Sequence, residues 1–266
     1  MAALENKVAL VTGASSGIGE AAALALALEG VTIAVNGRRR DRLDALVARI
    51  EAAGGTALAL PGDVSVEADI QNLVKQTRDA YGEIDLFCSN AGIADGDPDK
   101  NNAASASNAA WERSWGVNVM AHIYAARAVL PEWIARGEGY FLNTVSAAGL
   151  LSQIGSAPYS VTKHAAIGWA ENLALNHKDH GIKVSVLCPQ GVDTNLLRAG
   201  PEGPQNLDGV LSPQEVAESV VQTLDEEKFL VLPHPVVLNY MRNKTNDYDR
   251  WIGGMAKLRR AIFAAR

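Results

Sequence analysis

Tyr159 and Lys163 lie four residues apart in the stretch 157–166, which reads APYSVTKHAA. On a helix this spacing is about one turn, so both side chains point in the same direction. A free tyrosine has a pKa of about 10, too high for an efficient acid–base catalyst near neutral pH, and a nearby ammonium lowers that pKa. The pair therefore predicts proton transfer by the phenol, although the same spacing is also common in ordinary surface pairs.

A second candidate site is the glycine-rich turn at residues 12–19, which reads TGASSGIG and separates an apolar run from a helical run. Glycines in such a turn let the backbone approach a ligand closely. The helix that follows offers free N–H groups and the positive end of its dipole, which favour a phosphate. The spacing departs from GxGxxG and lacks the Lys-Ser/Thr ending of an ATP loop, so this turn alone is weak evidence.

Three arginines, Arg38, Arg39 and Arg40, follow Gly37 after the second apolar run. In dinucleotide-binding folds an acid near this point binds the adenosine ribose, whereas an arginine accommodates a 2′-phosphate. The acid is absent here, and cations are unfavourable at a helix N-terminus. We therefore expect NADP(H) to be favoured over NAD(H); a solvated helix start is the alternative explanation.

The elements that must position these residues alternate along the chain. Nearly continuous apolar strands are typical of parallel sheets covered on both faces, and strands that alternate with helices predict a doubly wound α/β sheet. We expect a single Rossmann-type domain over residues 1–266, with about seven strands and a helical C-terminal extension over 236–266. The predicted strands are 7–12, 31–36, 56–64, 85–90, 139–145, 183–189 and, more weakly, 229–233. The predicted helices are 17–28, 40–53, 67–81, 109–136, 158–180 and 213–227.

Several motifs, in the same order as these elements, make residues 5–235 resemble the short-chain dehydrogenase/reductase family. Each motif is modest alone, but their joint order is highly specific. They are the turn TGASSGIG, Asp63-Val64, Asn90-Ala91-Gly92, Asn118 in WGVNVM, Ser146 thirteen residues before Tyr159, and Lys163.

The resemblance implies a catalytic set of Asn118, Ser146, Tyr159 and Lys163. Tyr159 would be the general acid/base for hydride transfer between a secondary alcohol and a ketone, and Ser146 would stabilise charge on the substrate oxygen. Lys163 would also hold the nicotinamide ribose, and Asn118 would position a water for proton relay towards Lys163. The cofactor would supply the hydride.

The resemblance also implies a set of cofactor-binding residues. After the sixth strand Thr194 keeps its expected place for a carboxamide contact, whereas Gln190 stands where the family usually has glycine. The implied residues are Gly13, Ser15, Ser16, Gly17, Ile18, Gly19, Arg38, Arg39, Asp63, Val64, Asn90, Ala91, Gly92, Thr144, Tyr159, Lys163, Pro189, Val192 and Thr194.

Composition restricts the partners and the compartment. The 266-residue chain has a net charge of -6 and a pI near 5.4, so nucleic acid and anionic membranes are not expected partners. Cys88 and Cys188 lie in apolar runs and are expected to be buried free thiols in a reducing compartment. The N-terminus lacks the pattern of a signal peptide, so we expect a cytoplasmic protein. The five histidines show no metal-binding spacing, so no metal is expected.

The substrate is expected to be a small carbonyl or alcohol compound. Loops at 93–108, 147–156 and 191–210 are candidate pocket walls, and their apolar residues favour a hydrophobic substrate. These side chains could also pack against one another, and the loops could be ordinary mobile surface. The apolar residues are Ile93, Leu150, Leu151, Ile154, Leu196 and Leu197.

Several alternatives stay open at this point. The protein could be an NAD(H)-dependent dehydrogenase of the same family, an epimerase or dehydratase with tightly bound cofactor, or a non-catalytic dinucleotide-binding protein. The presence of both Tyr159 and Lys163 argues against the last. The C-terminal segment is expected to pack on this or another subunit rather than to bind ligand. By resemblance the protein would be a homotetramer or a homodimer.

Overall fold

A parallel sheet forms the centre of the protein, whose computed structural model describes residues 4–199 and 203–264. Its seven strands lie in the order β3-β2-β1-β4-β5-β6-β7, and every adjacent pair is parallel. The strands are β1 (Val8–Val11), β2 (Thr32–Gly37), β3 (Ala57–Pro61), β4 (Leu86–Ser89), β5 (Gly139–Thr144), β6 (Ile182–Leu187) and β7 (Leu230–Val231). Each overlaps a predicted run, so the doubly wound α/β fold is confirmed.

Helices cover both faces of the sheet. Buried side chains of α1, α2 and α8 pack on one face, and those of α3, α5 and α6 pack on the other. Because both faces are covered, the strands read as apolar runs without alternation. The helices are α1 (Gly17–Leu28), α2 (Arg40–Ala52), α3 (Glu67–Tyr81), α4 (Asn108–Trp115), α5 (Ala121–Arg136), α6 (Ala157–His177), α7 (Asn195–Arg198), α8 (Pro213–Glu226), α9 (Val236–Asn246) and α10 (Tyr248–Ala264).

Aromatic packing holds α5 on the centre of the sheet. Phe87 of β4 and Phe141 of β5 stack with their ring centroids 5.4 Å apart. Trp133 of α5 meets Phe141 edge-on at 6.1 Å, and its indole N–H donates to the Ile84 carbonyl at 2.7 Å. The buried indole is thus both packed and hydrogen-bonded, as burial of a polar group requires.

The single helix predicted over 109–136 is interrupted. A π-helical turn at Gly116–Met120 separates α4 from α5. A π turn adds one residue to the hydrogen-bonded ring and leaves the apolar pattern nearly unchanged, so the sequence periodicity did not show it. This turn contains Asn118.

The order of the strands creates a crevice at one edge of the sheet. The chain runs outward from β1 through β2 to β3 and then crosses back to β4, which lies on the other side of β1. Ligands of open α/β sheets bind beyond the carboxyl ends of the strands at such a reversal. The segments at 12–19 and 90–92 follow β1 and β4, so both lie at this edge.

The described residues contain neither a membrane-spanning helix nor a group of metal-ligating side chains. No helix within 4–199 and 203–264 is long and apolar enough to cross a bilayer. Over the same ranges, no group of three His, Cys, Asp or Glu side chains is placed to hold a metal ion. Cys88 and Cys188 are free and buried, and burial raises the pKa of each thiol to about 12.

Candidate active site

A large cleft of about 1430 Å³ lies at the carboxyl ends of the strands. Nearly every residue that the sequence analysis singled out lines this cleft, from the glycine turn to Thr194. Gly19 and Asn118 do not line it. The structure therefore brings segments from the whole length of the chain together at one site.

The glycine turn at 12–19 is built so that only glycine fits at two positions. Gly13 and Gly17 have φ angles of 66° and 61°. A Cβ at Gly13 would lie 2.8 Å from the Ala91 Cα, and one at Gly17 would lie 2.9 Å from the Thr194 Cγ2. Both positions combine left-handed backbone with close contact, so they leave a bare backbone facing the cleft.

Gly19 has a different role from its neighbours in the turn. A Cβ there would lie 2.5 Å from the Asn90 Nδ2 and 2.6 Å from the Gly13 carbonyl oxygen. Gly19 thus lets α1 pack closely on the segment that follows β4. Thr12 joins the same two segments, because its hydroxyl accepts hydrogen bonds from the backbone N–H groups of Asn90 and Ala91 at 3.0 and 3.2 Å.

Two of the three arginines after β2 lie at the cleft. Arg38 and Arg39 line it, and the Arg39 guanidinium donates to the Ser15 carbonyl at 3.3 Å. Arg40 instead pairs with Asp44, one turn along α2, at 2.8 Å. The cleft wall therefore carries two guanidinium groups close to the phosphate-sized turn.

Asp63 is held as a carboxylate beside these arginines. Its oxygen accepts hydrogen bonds from the Ser65 N–H at 2.9 Å and the Ser65 hydroxyl at 2.7 Å. These bonds, with a smaller contribution from the charge of Arg38, keep the pKa of Asp63 below its usual value. An ionised acceptor thus faces this end of the cleft.

At the other end of the cleft, α6 presents Tyr159 and Lys163. The Lys163 Nζ lies 5.7 Å from the centroid of the Tyr159 ring, and the lysine is only 3% exposed. Its ammonium donates to the Thr144 carbonyl at 3.2 Å. Burial lowers the pKa of Lys163 to about 8.

Ser146 lies beside Tyr159, at the end of β5. Its hydroxyl accepts from the Ala148 N–H at 3.1 Å and donates to the Pro189 carbonyl at 3.5 Å. The nearby Ser146 hydroxyl also acts to lower the pKa of the Tyr159 phenol. Ser146, Tyr159 and Lys163 are therefore gathered at one place in the cleft.

The pKa of Tyr159 differs from the sequence-based expectation. Burial is the largest effect and raises this pKa, and the nearby Ser146 hydroxyl opposes it. We expected Lys163 to lower the pKa instead. The ammonium lies over the ring and is directed at the Thr144 carbonyl, so desolvation of the phenolate dominates in the protein alone.

Asn118 is fully buried behind the cleft rather than in its wall. Its Oδ1 accepts from the Ile93 N–H at 2.9 Å, and its Nδ2 donates to the Ile93 carbonyl at 2.9 Å and the Thr162 hydroxyl at 3.0 Å. The amide therefore ties the loop after β4 to α6. The water-positioning role that the family resemblance implied for Asn118 stays a prediction.

Gln190, the departure from the family pattern, lines the cleft. Its backbone N–H donates to the His234 Nδ1 at 3.2 Å, while its Oε1 is buried with no hydrogen-bond partner among the described residues. The larger side chain is accommodated without a positive φ at residue 190.

The predicted apolar walls are largely present at the cleft. Ile93, Leu151, Ile154, Leu196 and Leu197 line it. Leu150 instead packs against the hydrophobic core.

The C-terminal segment supplies a further wall, which the sequence patterns did not predict. Trp251, Met255 and Leu258 of α10 line the cleft, together with Tyr240 of α9. The spacing of four and three residues in α10 was a usable signal, because it places all three side chains on one helix face. The expectation that this segment packs without binding ligand needs correction, since it packs on the protein and also forms part of the cleft.

Comparison with known proteins identifies the family. Residues 7–204 match the family model described as short chain dehydrogenase. The 1-deoxy-11-beta-hydroxypentalenate dehydrogenase of Streptomyces exfoliatus is 30% identical over 259 residues, which cover 94% of this chain and 90% of that protein.

Solved structures agree with the sequence match. A short chain dehydrogenase/reductase from Burkholderia phymatum in complex with NAD has a TM-score of 0.83 and 28% identity, covering 92% of this chain and 95% of that one. A short-chain dehydrogenase from Sphingobium yanoikuyae in complex with NADPH has a TM-score of 0.78 and 28% identity, covering 94% and 95%. The chain therefore belongs to the short-chain dehydrogenase/reductase family of oxidoreductases.

Proposed function

We propose that the protein is an NADP(H)-dependent oxidoreductase that interconverts a secondary alcohol and a ketone, with Tyr159 as general acid/base. The observation that carries this proposal is the arrangement of one cleft. Ser146, Tyr159 and Lys163 line it next to the end of β5, and the glycine turn and two arginines line it after β1 and β2, on the other side of β4 in the strand order. This arrangement suits a long cofactor with phosphates at one end and a reactive ring at the other.

The cofactor end of the cleft fits a nicotinamide dinucleotide. The bare backbone at Gly13 and Gly17 and the N-terminus of α1 suit the pyrophosphate. Arg38 and Arg39 supply the charge that a 2′-phosphate requires, whereas the acid that would favour NAD(H) is absent at this point. The two solved relatives carry NAD and NADPH, so the preference for NADP(H) rests on these arginines.

The chain's own residues handle the proton and the charge on oxygen. In ketone reduction the Tyr159 hydroxyl gives its proton to the substrate oxygen, and the Ser146 hydroxyl stabilises the negative charge that develops there. Tyr159 is protonated at neutral pH, as the acid in this direction must be, while its raised pKa in the protein alone makes the phenol a weaker acid. When bound, the nicotinamide would supply the hydride, and Lys163 would hold the cofactor's ribose.

The walls next to this site favour an apolar substrate. Leu151 and Ile154 come from the loop after Ser146, and Trp251 and Met255 come from α10. The relative from Streptomyces exfoliatus is named as a 1-deoxy-11-beta-hydroxypentalenate dehydrogenase. By the same reasoning we infer a hydrophobic ketone or alcohol here.

Two further properties belong to the proposal. We infer that the protein works in the cytoplasm, because the buried Cys88 and Cys188 thiols suit a reducing compartment. We also infer a homotetramer or a homodimer, on the family resemblance. Size-exclusion chromatography with light scattering measures the assembly directly.

A substrate screen tests the proposed activity. Carbonyl and alcohol compounds are offered with NADPH, NADH or their oxidised forms, and the absorbance of the reduced nicotinamide is followed. Turnover with faster use of NADPH is the expected result. Tight binding of NADPH, measured by fluorescence, with no turnover across the panel would instead favour a non-catalytic dinucleotide-binding protein.

A further inference from the structure

The C-terminal helices are attached to the two loops that border the reactive end of the cleft. The Arg259 guanidinium of α10 donates to the Lys100 carbonyl at 2.7 Å and to the Asn101 Oδ1 at 2.8 Å, within the loop after β4. Lys244 of α9 donates to the Leu150 carbonyl at 2.7 Å, within the loop after β5. One end of the helix pair therefore contacts the segment that begins at Ser146.

Lys244 is an unusual anchor because its charge is buried. It is 8% exposed, and among the described residues no carboxylate pairs with it. Its ammonium lies 2.7 Å from the Leu150 oxygen, 3.2 Å from the Leu151 oxygen and 3.4 Å from the His164 Nε2. A lysine has three donors, and each has an acceptor here.

His164 is held in the tautomer that accepts from Lys244. Its Nδ1 lies 2.8 Å from the Ser160 carbonyl, one turn back on α6. A carbonyl can only accept, so Nδ1 carries the proton and Nε2 presents a lone pair to the ammonium. The anchor thus reaches α6 at the residue that follows Lys163.

Two aromatic rings of α10 complete the surroundings of the ammonium. The Lys244 Nζ lies 5.1 Å from the Trp251 ring centroid and 5.7 Å from that of Tyr248. The two rings meet edge-on at 6.4 Å. Attraction between a buried cation and these rings ties the first turns of α10 to α9 and sets the position of Trp251.

We propose that Lys244 is a positioning residue, which holds α10 against the loop at 147–156 so that Trp251 forms the wall for a bulky apolar ketone. The substrate part of this inference rests on the proposed function. Trp251, Met255 and Leu258 line the same cleft as Leu151 and Ile154 of that loop. A ketone too small to reach Trp251 gains nothing from this wall.

Hydrogen–deuterium exchange tests the anchor without any need for activity. Lys244→Met removes the charge and all three donors but keeps a side chain of similar length. Amides of α9 and α10 should then exchange faster, while those of the central strands stay protected. Lys257→Met is the matched control, because Lys257 is exposed on α10 and does not line the cleft. Wild-type exchange in the Lys244→Met protein would overturn the anchor.

Kinetics with a large and a small ketone test the specificity. We expect the wild-type protein to prefer a decalone to butanone, and Lys244→Met to lose roughly tenfold or more in kcat/KM for the decalone, mainly through KM. Butanone turnover and NADPH affinity should stay near the wild-type values. Trp251→Ala should lose kcat/KM for the decalone by a similar factor, because it removes the wall directly.

The outcomes separate the two proposals. A wild-type preference for the decalone that survives in both variants would refute the role of Trp251 in specificity. The absence of turnover of any ketone by the wild-type protein would refute the proposed function. The exchange measurement would still decide whether Lys244 anchors the helices.

Discussion

At the scale of single residues, the phenol of Tyr159 carries the proton chemistry of the proposed reaction. Burial raises its pKa, and the nearby Ser146 hydroxyl partly offsets that effect. Lys163 is buried on the next turn with its ammonium on the Thr144 carbonyl. The phenol of Tyr159 is therefore uncharged at neutral pH. Removal of its hydroxyl tests its role without changing the charge of the protein.

Tyr159→Phe should reduce turnover by about 10²–10⁴-fold, the range typical of a positioned proton donor. NADPH affinity should change little, because the ring and Lys163 remain. Steady-state kinetics and a fluorescence titration measure the two effects. Tyr140→Phe is the control, since its hydroxyl bonds to Ser185 at 2.8 Å outside the cleft. Equal activity of the two variants would remove Tyr159 from the mechanism.

Arg38→Ala tests the preference for NADP(H). Loss of a hydrogen bond between charged groups should weaken NADPH binding roughly tenfold or more while NADH binding changes little. Arg40→Ala should affect neither cofactor, because Arg40 pairs with Asp44 on α2. Equal weakening of both cofactors by Arg38→Ala would show that Arg38 does not recognise a 2′-phosphate.

At the scale of elements, the site depends on how short segments approach one another. The turn after β1 lies against the segment after β4. The π turn places Asn118 so that its Oδ1 accepts a hydrogen bond from the Ile93 N–H. These contacts fix the backbone around the cleft, so a small added side chain can disturb binding without touching a catalytic group.

Gly17→Ala should both destabilise the protein and weaken NADPH binding. A non-glycine residue with this left-handed backbone costs about 1–2 kcal/mol, and the new Cβ would meet Thr194. Gly54→Ala is the matched control, because Gly54 has a φ of 87° and open space around its Cβ position. Urea unfolding should show a loss in both variants. Only Gly17→Ala should lose cofactor affinity, and normal NADPH binding by it would argue against a close approach of the ligand.

At the scale of the whole molecule, a buried histidine couples stability to pH. His122 is fully buried on α5, and its Nδ1 lies 2.7 Å from the Ser89 hydroxyl. Burial, aided by the charge of Lys163, lowers the pKa of His122 from 6.5 to about 3. The folded protein therefore excludes a proton that the unfolded chain binds below pH 6.5.

The free energy of unfolding should therefore fall as the solution becomes more acidic. The contribution of His122 is fully present above pH 6.5 and is lost as the pH falls towards about 3, because only the unfolded state takes up the proton. The loss should approach roughly 1.4 kcal/mol per pH unit. Urea unfolding at several pH values should give a smaller slope for His122→Asn than for wild type. An unchanged slope in His122→Asn would contradict the shift.

The sequence by itself determined the fold and the identity of most cleft residues. Apolar runs show which segments form strands, and the glycines of 12–19 and the Tyr159–Lys163 spacing are local patterns that a helix or a turn must satisfy. Residues close together in the sequence produce these features. They can therefore be predicted without knowing which distant residues come into contact.

The tertiary structure alone decided which groups meet across the chain. The pKa of Tyr159 depends on its burial, and the role of Asn118 depends on Ile93, which lies 25 positions away. The wall that α10 adds depends on Lys244 reaching the carbonyls of Leu150 and Leu151. Burial and long-range hydrogen bonds arise only when the chain is folded, and for this reason local patterns could not show them.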